Sequence, residues 1–129
     1  PLLEAIAAAS IPICVDFGAR DLTSIAWSVS KLIFDDRHLL HAISAAALPK
    51  IRDFSCADLA HMAGSFARLN VLDTPMMEAI SSQSSATITQ FQPFDLSHSA
   101  WAFAKLALVD EPLLNAISAQ SIHRLPQFR

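Results

Sequence analysis

The sequence predicts an all-α fold, an α-solenoid of stacked antiparallel helical hairpins with a 37-residue repeat. Three observations predict it. Phe17, Phe54, Phe91 and Phe128 are each 37 residues apart. Residues 17–53 and 91–127 share 14 of 37 identities without a gap, and 17–53 and 54–90 share 11. Within each unit the apolar residues recur at helical spacing. Other blocks keep the same step: Asp21-Leu22, Asp58-Leu59 and Asp95-Leu96, then Ala42-Ile43-Ser44, Ala79-Ile80-Ser81 and Ala116-Ile117-Ser118.

The expected organisation is one solenoid segment over 1–129. Residues 1–16 are a half repeat, 17–53, 54–90 and 91–127 are whole repeats, and 128–129 open a further one. Both ends fall inside ordinary repeat sequence rather than in a polar capping unit. The expectation is an internal piece of a longer array whose ends expose apolar surface. No charged leader precedes an apolar stretch at Pro1, so no signal peptide is expected.

Each repeat reads as two helices. The first is expected to start at an N-cap, Asp21, Asp58 or Asp95, and to run for about three turns. Leu22, Ile25, Ala26, Val29 and Leu32 then share one face. The second is expected to open with Pro75 or Pro112 at its first position, with Thr74 and Glu111 before them. In the first whole repeat it should run to about Ile51. Small residues at Ala42, Ala45 and Ala46 would let helix axes approach closely. Neither helix buries its apolar face alone, so neighbouring repeats must stack.

Composition narrows function. Nine Lys+Arg stand against twelve Asp+Glu, a formal net charge of −3, with 53% hydrophobic and 16% charged residues. That excludes a disordered chain and lacks the strongly basic footprint of a free-standing nucleic-acid domain. Two glycines leave little for phosphate-cradling loops. Cys14 and Cys56 form no CxxC, so neither a disulfide framework nor a zinc module is indicated. Mean hydropathy is +0.39. Yet the longest charge-free gap, from Glu78 to Asp95, is polar, and no membrane span is expected.

The block Asp95-Leu96-Ser97-His98-Ser99-Ala100-Trp101-Ala102-Phe103-Ala104-Lys105-Leu106, with Leu113-Leu114-Asn115-Ala116-Ile117-Ser118, resembles the octotricopeptide and heptatricopeptide repeat proteins. The period matches the heptatricopeptide class. The resemblance covers the whole chain and implies helical-hairpin solenoids of chloroplasts or mitochondria that bind RNA. They act in transcript processing, stability, translation or organellar ribosome assembly. The middle repeat departs most: Gly64 replaces the tryptophan of Trp27 and Trp101, and Met76-Met77 replaces Leu-Leu.

Two ladders are the candidate RNA-binding residues. Lys31, Arg68 and Lys105 occupy one repeat position, spaced to follow the phosphates of a single strand. The same cations also suit the C-terminal end of the first helix, where positive charge complements the macrodipole. Thr23 and Ser97 share a second position, with Ala60 between them. Ser24, His61 and His98 share the next. Variation at fixed positions suits a one-base-per-repeat reader, and it also suits any solvated position. Trp27 and Trp101 are expected to pack between helices rather than stack on bases. Phe66 and Phe103 are read the same way.

Metal and catalytic readings are weak. His38 and His41 are three apart on a helix with no third ligand in view. Cys56 lies just before an expected helix start, which would lower its pKa, but no base partner can be named. No nucleophile motif appears. No enzyme activity, cofactor or metal is expected. The expected partners are single-stranded RNA and neighbouring repeats of the same chain. The rival is a structural scaffold that binds protein subunits of a large organellar complex.

Overall fold

Aspartates fix where the helices begin. In the computed structural model, which describes residues 1–127, seven α-helices follow one another among the described residues. They are α1 (Leu2–Ser10), α2 (Ala19–Lys31), α3 (Arg37–Ala47), α4 (Cys56–Arg68), α5 (Thr74–Ala86), α6 (Pro93–Lys105) and α7 (Glu111–His123). The fold is all-α. Short 3-10 segments at Ile11–Asp16, Leu48–Asp53, Ile88–Gln90 and Leu125–Gln127 follow α1, α3, α5 and α7. The further unit expected to open at 128 lies outside the described residues.

The first-helix starts need correcting. Asp21, Asp58 and Asp95 are not N-caps. The caps are Gly18, Ser55 and Gln92, and each aspartate stands three residues inside. From there its carboxylate reaches back to accept the cap's backbone N–H, at 3.3, 3.2 and 3.0 Å. At Ser55 the exchange is reciprocal, because the Ser55 hydroxyl oxygen accepts from the Asp58 N–H. Each carboxylate thus satisfies a donor that no helical carbonyl can reach.

The second helices start one residue earlier than expected. Asp36, Asp73 and Asp110 are the caps, accepting from the backbone N–H groups of Leu39, Met76 and Leu113. Thr74 and Glu111 are already helical, and Pro75 and Pro112 sit one position further in, where no intrahelical N–H is needed. The expected end near Ile51 is also corrected. α3 stops at Ala47, because Pro49 has no N–H to donate and continues as a 3-10 segment. Ala86 and His123 stand where Pro12 and Pro49 do, and α5 and α7 run through them.

The helices form two layers. In the first, α4 packs between α2 and α6. In the second, α3, α5 and α7 each rest on the preceding 3-10 segment, at Ile11–Asp16, Leu48–Asp53 and Ile88–Gln90. The core runs between the layers through Leu22, Leu39, Ile43, Leu59, Met62, Phe66, Met76, Ile80, Phe91 and Leu96, all nearly solvent-free. Burying one such side chain contributes about 1.5–3 kcal/mol. Leu32 departs from its expected core face and is exposed, as is Ala45, while Ala46 is buried.

Two cations tie neighbouring segments together. Lys50 Nζ donates to the carbonyls of Val15 and Phe17, each at 2.6 Å. Arg124, two steps of 37 along, donates to the Thr89 carbonyl at 3.2 Å. Val15 and Thr89 are also two such steps apart. The sequence reading did not single out either cation. Their signal was slight: the same repeat position holds Ile13, Lys50, Thr87 and Arg124, so a cation recurs in only two of the four.

Candidate functional site

The outer face of the first layer follows from helix geometry. Residues at i, i+4, i+7 and i+11 line one stripe. On α2 the stripe is Arg20, Ser24, Trp27 and Lys31. On α4 it is Ala57, His61, Gly64 and Arg68. On α6 it is Phe94, His98, Trp101 and Lys105. Because α2, α4 and α6 lie side by side, the three stripes form one surface. Its four charged residues are all cations, Arg20, Lys31, Arg68 and Lys105, in a chain that is acidic overall.

The cation ladder and the Ser24–His61–His98 ladder therefore share this face. Lys31, Arg68 and Lys105 are exposed and end their helices; Ser24 is exposed, and His61 and His98 are half-buried. The other polar ladder is more deeply set. Thr23 is buried, and its hydroxyl donates to the Ala19 carbonyl at 2.9 Å. Ala60, beside it on α4, is solvent-free. Only Ser97 is exposed there, with its hydroxyl donating to the Pro93 carbonyl at 2.9 Å. Thr23, though buried, lies at the floor of a cleft between α2 and α4.

The tryptophans are a second correction. Trp27 and Trp101 are each 42% exposed rather than packed between helices. They stand on the outward stripe, while Leu22, Ala26 and Val29 fill the inward one. Phe66 and Phe103 do lie in the core. Lys31 Nζ stands 5.5 Å from the centre of the Trp27 ring, within cation–π range.

Aromatic rings line the α6 stripe. Phe94 and His98 stack with ring centres 5.1 Å apart, and His98 stacks on Trp101 at 5.6 Å. His61 faces Phe94 at 5.5 Å and His98 at 5.9 Å. The His98 imidazole lies against Gly64, where any Cβ would overlap its ring. This explains the departure of the middle repeat: a tryptophan at 64 would leave His98 no place. Burial, foremost, holds His98 below the usual histidine range; the charges of His61 and Arg68 add to this and Asp95 opposes it.

Between α2 and α4 the surface opens into a cleft of about 380 Å³. Thr23, Ser24, Trp27, Ala57, Asp58 and His61 are among the residues that line it. At its rim Arg20 Nε meets the buried Asp58 carboxylate at 3.0 Å, crossing from α2 to α4. The sequence reading missed Arg20, Asp58 as its partner, and Phe94. Their signal was available, since 20, 57 and 94 sit one turn before the polar ladder on the same stripe.

The remaining candidates stay apart. His38 and His41 are exposed on α3, and among the described residues no group of three His, Cys, Asp or Glu is arranged to hold a metal ion. Cys14 and Cys56 are free thiols. Cys56 is the first residue of α4, but its pKa is raised, not lowered, because burial outweighs the helix start. No described helix is long and apolar enough to cross a membrane. No protein-family model matches the chain, and no curated protein matches it significantly.

Proposed function

We propose that this chain is an RNA-binding segment of an α-solenoid, built from 37-residue helical-hairpin repeats and belonging to the octotricopeptide and heptatricopeptide class. One observation carries the reading: the outer face of α2, α4 and α6 joins exposed tryptophans to four cations, and the Asp58 carboxylate beside them is buried and paired with Arg20. Phosphates need cations, and unpaired bases need ring faces. A single strand crossing the three helices would set its phosphates on Lys31, Arg68 and Lys105. The role is passive rather than enzymatic. The bound segment protects or positions a transcript, in a chloroplast or mitochondrion on the family resemblance.

A second reading is a protein scaffold in an organellar assembly. It is favoured by Ile33, Leu72 and Val109, exposed apolar residues in the connections that follow α2, α4 and α6.

Binding to single-stranded RNA across a salt series separates the two. Three phosphate contacts give log K a slope of about −2 against log salt, from about −0.7 per contact. Replacing Lys31, Arg68 and Lys105 by glutamine flattens it. No binding at low salt would leave the scaffold reading.

A further inference from the structure

The two clefts of the outer face differ in the rings that fill them. Between α4 and α6 the space is filled from within. Phe94 and His98 of α6 lie against His61, and His98 covers Gly64. Between α2 and α4 the positions 37 residues earlier hold Ala57 for Phe94, His61 for His98 and Trp27 for Gly64. A methyl group stands where the next cleft has a phenyl ring. The result is the open cleft of about 380 Å³ at Trp27.

Resting on the RNA reading, we propose that the α2–α4 cleft is a subsite for one unpaired nucleobase, stacked on the Trp27 indole. The neighbouring cleft offers a precedent: there the Phe94 ring stands 5.5 Å from His61 and 5.1 Å from His98, centre to centre. What α2–α4 lacks in a phenyl it gains in an exposed indole, the best stacking surface among side chains. Cations flank the cleft along one stripe. Lys31 lies over the indole edge of the site, and Arg20 is held at the other end by Asp58. Arg20 uses Nε on that carboxylate, and its side chain is 75% exposed, which leaves its terminal nitrogens available to a phosphate. Base and backbone are therefore both addressed. The α4–α6 cleft, already filled, contributes only backbone contacts.

The test plugs the cleft with the chain's own solution. Ala57→Phe places a phenyl where Phe94 stands one unit along, and thermal unfolding verifies that the variant is folded. Binding of short oligouridylate and oligoadenylate is followed with Trp101→Phe as background, so that Trp27 alone fluoresces. The expected result is Trp27 quenching by RNA, abolished by Ala57→Phe, with affinity about tenfold weaker and the salt slope unchanged. Salt-dependent binding that ignores Ala57→Phe, or that leaves Trp27 fluorescence unaltered, would overturn the subsite and spare the RNA reading. Absence of any salt-dependent binding would overturn both.

Discussion

Gly64 and His98 are one structural decision made at two residues. A glycine inside a helix costs about 1 kcal/mol against alanine. The chain accepts this because the imidazole of His98 occupies the space a Cβ would take. The two positions must then be strongly non-additive. Gly64→Ala in the natural chain forces the imidazole out and destabilises. In a His98→Ala background the same substitution gains the helix propensity and stabilises by about 1 kcal/mol. Denaturant unfolding of the four proteins measures the cycle. The sign reversal is the signature, and equal effects of Gly64→Ala in both backgrounds would contradict the contact. In the sequence, Gly64 showed only as a repeat out of pattern. Its reason lay 34 residues away in the next helix, where no local spacing points.

At the scale of the element, each first helix ends the same way. Ile33, Asn70 and Ala107 adopt left-handed conformations, with φ of 53, 56 and 57°. The N–H of the following residue bonds back across the end: Phe34 to Val29, Val71 to Phe66, and Leu108 to Phe103. This closure satisfies carbonyls that the helix leaves open. Glycine suits the position, asparagine tolerates it, and a β-branched residue is strained there. Ile33 is also exposed, so little packing is lost on removing it. Ile33→Gly should stabilise by about 1 kcal/mol, Ala107→Gly by less, and Asn70→Gly hardly at all. Denaturation midpoints give the order, and a destabilised Ile33→Gly would refute the strain. Helix existence was legible because the apolar period and the recurring aspartates agree. Helix boundaries were not, because an aspartate at the cap and one three residues inside both read as a start. The two differ only in which N–H the carboxylate accepts. Pro49 could have marked the end of α3, since it breaks the ladder of N–H donors.

The whole molecule separates its charge by face. The repeated aspartates are spent at helix starts, and Lys31, Arg68 and Lys105 stand at the other ends of α2, α4 and α6. The basic ladder was legible from the 37-residue step. That Thr23 is buried at the cleft floor while Ser24 is exposed was not, because it depends on which way α2 rotates against α4. Between these cations sits His98, and its depressed basicity couples the site to global stability. Unfolded, His98 takes a proton below about pH 6.5. Folded, burial makes it resist that proton until lower pH. Over the interval between the two values the unfolded chain binds more protons, so unfolding free energy rises with pH. His98's contribution is complete above about pH 6.5 and is lost as pH falls towards the folded value. On the proposed RNA reading the preference reverses, since a phosphate beside the ring would stabilise the imidazolium. Acidification from about pH 7.5 to about pH 5.5 should thus lower stability and tighten RNA binding together. His98→Asn should remove this residue's share of both trends, measured by urea unfolding and by RNA titration at each pH. Acid loss of stability undiminished in His98→Asn would show that other groups carry it. Tightening undiminished in the variant would place the strand away from α6.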